Sequence, residues 1–304
     1  MVNIGSFLGK GAAEPIRKTV GVAMIPLLSA TVTAIGFVCV ALLYRPTEVR
    51  DPDTDQPASL SAAASKLLRD LIQVLRSGRL MALVLITAGF WIIQGQMYSS
   101  MPKYVFRIVG EQASPERYAN VNPITVMLSV VPITWLCKKL SPLWSIAIAL
   151  GIIPISALCM ALLPGLIGTS LPLHPVTVAM VLGIAMQGLS ECFLSPRYLE
   201  YASRQAPQGK EALYMGYSHL NNFFAWMIGS VMSGYLLDAF IPDPKKLSVA
   251  DRAMHELALR GQGPLPAAYA HSNYLWYTFF GIGVFAFVAF LIFAFVTRHR
   301  SPET

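Results

Sequence analysis

The chain has 304 residues, 55% of them hydrophobic and 13% charged, with a mean hydropathy of +0.54; a soluble domain is about one quarter charged. That excludes an ordinary soluble domain, and the 11% aromatic content excludes a disordered chain, which could not stay solvated. A net charge of +7 would suggest nucleic acid for a soluble protein, but here Lys and Arg lie between and at the ends of apolar stretches. In those places they set membrane orientation and meet anionic headgroups, so the expected partner is membrane lipid, with no nucleic acid.

The chain opens on Met1 to Ala13, apolar and Gly-rich, too short to cross a bilayer before Glu14, Pro15, Arg17 and Lys18 close it. It reads as the stump of a further helix, and the chain as a partial one that starts inside a helix. No secretory signal peptide is evident, because Met1 to Gly9 lacks a charged leader and a cleavage pattern. About 20 apolar residues are needed to span the hydrocarbon, and seven runs qualify. They are Val20 to Tyr44, Leu80 to Tyr104, Tyr118 to Leu136, Leu143 to Leu163, Val176 to Ala202, Leu213 to Phe240 and Tyr274 to Val296. The expected fold class is an all-α integral membrane bundle.

Between the first two spans, Arg45 to Gly78 begins rich in Pro and Asp. It continues with Leu60, Ala64, Leu67, Leu68, Leu71, Ile72 and Leu75 among Lys66, Arg69 and Arg76, the pattern of an amphipathic helix lying in the interface. With Arg45, Arg50 and Arg79 it carries six basic residues, which places it in the cytoplasm by the positive-inside rule. Alternation then puts Lys138, Lys139, the Arg197 to Lys210 loop and the Arg298 and Arg300 tail inside. The Pro164 to Pro175 turn, and the more basic Lys103 to Arg117 and Lys245 to Arg260 segments, fall outside. The expected division is residues 1–44, the end of one bundle; 45–78, a linker; and 79–304, a six-helix bundle. Ile4-Gly5-Ser6 with Gly9 echoes Ile228-Gly229-Ser230 with Gly234, six helices later, as two halves related by a pseudo-two-fold axis would.

Charge inside a span is costly, so an intramembrane acid is a functional candidate. Glu191 is such an acid, with apolar residues before it and Pro196, expected to break the helix, after it. It could bind an ammonium group and carry a proton; the alternative is a structural partner for a buried polar side chain. Asn122-Pro123 offers a donor, an acceptor and a carbonyl freed by the proline, or else merely begins a helix. Gln94, Gln96, Tyr98, Ser99 and Ser100 form a polar cluster, with interhelical hydrogen bonding as the plainer reading. His219, beside Asn221 and Asn222, could titrate near neutral pH or be a satisfied core histidine. Arg197, Glu200 and Arg204 share a helix face as an ion-paired cluster, a cytoplasmic gate or topology anchor. The cysteines Cys39, Cys137, Cys159 and Cys192 have no metal-ligand spacing, and no motif for an enzyme, a metal or another cofactor is present.

Several of these segments together resemble the proton-dependent oligopeptide transporter family of the major facilitator superfamily. They are Asn3-Ile4-Gly5-Ser6-Phe7, similar to that family's fifth helix; Gln96, in the seventh; Asn122-Pro123 with Pro132, in the eighth; and Ser190-Glu191 through Leu194-Ser195-Pro196, then Ala206-Pro207, in the tenth. The resemblance implies a chain running from the fifth to the twelfth helix of a secondary transporter in the plasma (inner) membrane. Its N-terminal bundle would be the missing partner, and its cargo small peptides or other polar solutes moved with protons. It implies that Glu191 receives the peptide's amino group and that Asn122, Gln96 and Ser195 lie at the substrate site; as titratable groups, Glu191 and His219 are the proton-coupling candidates. Two positions depart from the family. Gly95 stands where many members have an acid, and Ser218 where many have a pocket tryptophan, which leaves room for another substrate. Rival readings are a sugar, nucleoside or drug transporter of the same superfamily, a membrane-embedded enzyme, or a non-transporting interaction protein.

Overall fold

The computed structural model describes residues 2–44, 60–110, 112–168 and 172–298. Among them are twelve α-helices and no strand: α1 Val2–Thr19, α2 Met24–Leu43, α3 Leu60–Leu75, α4 Gly78–Ser99, α5 Met101–Ile108, α6 Pro115–Cys137, α7 Pro142–Ile167, α8 Pro175–Arg204, α9 Glu211–Ser218, α10 Leu220–Phe240, α11 Val249–Leu259 and α12 Tyr274–Arg298. Helices are the expected solution where no water is available to satisfy backbone groups. Seven segments are long and apolar enough to span a membrane, at the places the apolar runs indicate, and the chain is an integral, multi-pass membrane protein. The opening of the linker, with Arg45 and Arg50, and the tail's Arg300 lie outside the described residues.

Four boundaries differ from expectation, each for a local reason. The opening helix does not close at Glu14 and Pro15; α1 runs on to Thr19 with Pro15 inside it, because side chains of this turn are anchored on α6, as described below. The turn into α2 is made at Gly21, whose φ of 105° is open only to a residue without Cβ strain. Pro196 likewise sits inside α8, which continues to Arg204; the turn beyond it is held by Arg197 on the Cys137 carbonyl and by the Tyr198 hydroxyl, which donates to the Ser218 carbonyl at 2.7 Å. That last bond also explains the third difference. The run from Leu213 to Phe240 is interrupted at His219, dividing α9 from α10, and the Ser218 carbonyl at the break is satisfied by Tyr198. The Leu80 to Tyr104 run divides in the same way at Ser100, where Pro102 opens α5.

The core lies among α4, α6, α7, α8 and α12, with α7 and α8 packed along most of their length. Glycines let the backbones approach. A Cβ on Gly283 of α12 would stand 2.8 Å from Ile93 and Pro154 side chains, one on Gly89 of α4 2.6 Å from Ala286, and one on Gly183 of α8 2.6 Å from Met160. Such small-residue seams substitute close van der Waals contact for the hydrophobic effect, which is absent between helices in lipid. In α3, Val74 is fully buried against Leu80, Val84, Ala202 and Tyr214, while Leu68, Ile72 and Leu75 are exposed. α2 has no buried residue, as an apolar helix has when its neighbours are lipid or another bundle.

Candidate functional site

Glu191 lies midway along α8, half-buried, and two amides reach it from two other helices. Gln94 of α4 donates from Nε2 to Glu191 Oε2 at 2.6 Å, and Asn122 of α6 donates from Nδ2 to the same oxygen at 3.4 Å. The helices can come this close because Gly188, one turn before Glu191, faces Asn122. A Cβ there would lie 3.0 Å from the Asn122 carbonyl oxygen and from Thr125. Asn122 is well inside α6, seven residues after its first, so it does not cap the helix.

The proline after Asn122 shapes the other side of the site. Pro123 has no N–H to give to the carbonyl of Ala119 four residues back. That freed oxygen accepts instead from Lys10 Nζ of α1 at 3.2 Å. Lys10 also stands 5.0 Å from the ring centre of Tyr98, a cation–π arrangement, and interacts electrostatically with Glu191. Four elements therefore converge: the acid on α8, amides on α4 and α6, and a lysine on α1.

Lys10 and Gln94 were not singled out from the sequence as site residues. Lys10 is the lone cation in an otherwise apolar stretch, flanked by Gly9 and Gly11, and that isolation was the available signal. Gln94 was legible only as part of a polar cluster.

The other candidates fall elsewhere. Gln96 is two residues from Gln94 and faces away from Glu191: its Nε2 donates to Ile92 O at 2.9 Å and Gly229 O at 3.4 Å, while its Oε1 accepts from Ser100 at 2.6 Å and Ser99 at 3.0 Å. It joins α4 to α10, as does Ser100 with Ser233 at 2.8 Å, so this part of the cluster is interhelical bonding. Ser195 is half-buried one turn beyond Glu191. His219 is exposed at the α9–α10 break and is not brought to Glu191, whereas Asn221 is buried and donates to Thr87 Oγ1 at 3.3 Å. Gly95 has nothing within 4 Å of its Cβ position. Ser218 is fully buried, donating to Met215 O at 2.6 Å.

Ion pairs mark the two ends of the bundle. At the C-terminal end of α8, Glu200 accepts from Arg197 at 2.6 Å and from Arg204 at 2.6 Å, one on each oxygen, and Arg197 also ties to the end of α6 at the Cys137 carbonyl. At the opposite end, Glu14 of α1 lies between Arg117 at 2.6 Å, Lys18 at 2.7 Å and Ser114 at 2.8 Å. Next to it Arg17 makes a two-pronged contact with Glu116, 2.5 and 3.2 Å. Glu14 lies outside the seven spans. The hydrogen bond from Arg117, then that from Lys18, hold its carboxyl down at about 2. Among the described residues no group of three or more His, Cys, Asp or Glu is arranged to hold a metal ion.

The sequence profile of the POT family matches residues 57–243, more than half of the chain and the part that carries Gln94, Asn122 and Glu191. The chain belongs to the POT family. Its fold is similar to that of a crystal structure described as an auto-inhibited POT family peptide transporter, at 16% identity with a TM-score of 0.51, covering 99% of this chain and 53% of that one. A crystal structure of a peptide transporter POT in complex with sulfate is also similar, at 18% identity and a TM-score of 0.46, covering 94% of this chain and 54% of that one. The chain thus spans about half the length of the solved transporters it matches. Comparison with curated proteins gives no match.

Proposed function

We propose that the chain forms the C-terminal six-helix bundle, residues 79–304, with the linker at 45–78 and the end of an N-terminal bundle at 1–44, of a secondary transporter in the plasma (inner) membrane. It moves small peptides or related polar solutes with protons by alternating access. Family membership and the transporter fold support this reading, and the observation that carries it is the carboxylate of Glu191, set in mid-helix with both amide donors on one oxygen.

Glu191 Oε1 is then the atom offered to a cation. An ionised carboxylate in low dielectric attracts an ammonium group strongly, and the same carboxylate without a ligand is ready to take a proton. Exchange between the two couples cargo to protons: the ammonium enters as the proton passes from Glu191 to another group of the transporter, and proton and cargo then cross together and leave on the far side. Asn122 and Ser195 flank that carboxylate as substrate contacts. Gln96 is assigned to holding α4 on α10. The Arg197–Glu200–Arg204 cluster is assigned to the cytoplasmic end, as a gate. His219, exposed at a helix break, is kept as a further proton-coupling candidate.

The test is uptake of a labelled dipeptide into vesicles under an imposed proton gradient, with Glu191→Gln beside the unaltered protein. The expected result is loss of gradient-driven uptake in the variant. Uptake with unchanged pH dependence in Glu191→Gln would remove the proton role from Glu191, and competition by sugars or nucleosides without competition by dipeptides would replace the cargo class.

A further inference from the structure

The sequence pattern gives α3 one apolar face, but the structure divides it into two and packs only one of them. Val74, buried against Leu80, Val84, Ala202 and Tyr214, fastens the helix to α4, α8 and α9. Beside it, the Gln73 side-chain carbonyl accepts from Lys210 Nζ at 2.6 Å. Leu68, Ile72 and Leu75, four and three residues apart, form a separate stripe along the helix, and they are 58%, 41% and 44% exposed. Arg69 and Arg76 each follow a stripe leucine by one position and share a face with each other, so they edge the stripe along one side. Both are exposed, as is Arg79 in the first turn of α4. Arg69 gives its Nε to the Ser65 carbonyl at 3.3 Å, and none of the three arginines forms an ion pair among the described residues. Asp70, the one acid of α3, is half-buried.

The place of this surface is set by α4. That helix is long and apolar enough to span the membrane, so its first residue, Gly78, lies at a membrane surface, and α3, which ends at Leu75, is held at the same level. There an exposed leucine stripe meets acyl chains, and arginines beside it meet phosphate groups. A zwitterionic lipid suits the stripe and leaves the arginines without a net counter-charge, a soluble anion suits the arginines and offers the stripe nothing, and a lipid of net negative charge suits both. We propose that Leu68, Ile72 and Leu75 with Arg69, Arg76 and Arg79 form a docking surface for anionic phospholipid. Lipid bound there fixes α3 and, through Val74 and Gln73, holds the place where the end of α8 meets α9 against the membrane. The surface is independent of Glu191 and of the cargo.

The experiment is hydrogen–deuterium exchange of the intact protein in nanodiscs of phosphatidylcholine alone and of phosphatidylcholine mixed with phosphatidylglycerol. Backbone amides of residues 60–75 are expected to exchange about fivefold or more slowly with phosphatidylglycerol present, the scale of one arginine at an anionic surface, while those of α7 exchange alike in both discs. Replacing both edge arginines, Arg69→Gln with Arg76→Gln, is expected to abolish the difference and leave α7 as it was, which reports an intact bundle. Equal exchange of residues 60–75 in the two lipids would overturn the proposal, whether water or another part of the transporter covers the stripe. A slowing that persists in the arginine variant would also overturn it, because the lipid charge would then be read elsewhere. Inorganic phosphate added to the phosphatidylcholine discs is expected to have no effect; phosphate that reproduced the slowing would make this a site for soluble anions and remove the lipid from it.

Discussion

Two seams hold this molecule together, and they are built from opposite materials. Between α4, α7, α8 and α12 the contact is backbone against side chain at glycines, with Gly283 on Pro154 and Gly183 on Met160. Between α1 and α6 the contact is made by long polar side chains: Arg17 with Glu116, Glu14 with Arg117 and Ser114, Lys10 with Ala119 O. A glycine seam is rigid, since it has no side chain that can let go. A seam of side-chain bonds can open and close at low cost, which is what the proposed boundary between two moving bundles would require. Glu191 sits where the two meet, on a helix of the glycine seam and within electrostatic reach of the lysine of the polar one.

The largest effect is expected from breaking the rigid seam. Gly283→Leu would put side-chain atoms where a Cβ alone is already 2.8 Å from Ile93 and 3.0 Å from the Pro154 backbone. A loss of about 3 kcal/mol or more is expected, at the upper end of overpacking costs, read as a fall in thermal midpoint and in the yield of monodisperse protein. An unchanged midpoint would show that the seam yields, and the contrast with α1–α6 would dissolve.

A smaller effect is expected from acid on the polar seam. The Glu14 carboxyl is held at about 2, below its ordinary value of 4.5, first by the bond from Arg117. Its contribution is therefore fully present above about pH 4.5 and fades as pH falls through 2. Spin labels on the ends of α1 and α6 should keep one distance down to pH 5 and broaden below it, and Glu14→Gln should show the broad distribution already at neutral pH, with little change in the midpoint of the bundle as a whole. A distribution that is narrow at all pH values in both proteins would mean that apolar packing, not these ions, joins α1 to α6.

The smallest effect is expected from Lys10→Met, which returns the Ala119 carbonyl to an unpaired state and removes the cation over Tyr98. The cost is about 1 kcal/mol in stability, measured by thermal denaturation. A change of affinity for dialanine larger than the change in stability would show that Lys10 acts on the substrate as well as on the seam.

How much of this could be read from the sequence divides along the same line. The seven spans were legible because run length is a direct consequence of membrane thickness, and Glu191 because a carboxylate amid apolar residues is rare for energetic reasons. The freed carbonyl at Asn122-Pro123 was also legible as missing backbone chemistry, but not its partner, which comes from α1 more than a hundred residues away. Pro15 and Pro196 were misread as helix ends because proline removes only one hydrogen bond, and neighbouring helices decide whether the helix continues. Gln96 rather than Gln94 was favoured through the family resemblance, although two residues along a helix are on nearly opposite faces. Only the packing of α4 shows that Gln94 faces α8 and Gln96 faces α10.

The central claim is that one carboxylate alternates between a proton and the cargo's ammonium group, and infrared difference spectroscopy on dialanine binding observes that exchange directly. The account predicts that the carbonyl stretch of a protonated carboxylic acid disappears when ligand is added, and that the same difference band is absent from Glu191→Gln. A band unchanged by ligand, or one that persists in Glu191→Gln, would place the exchanging proton on another group and contradict the account.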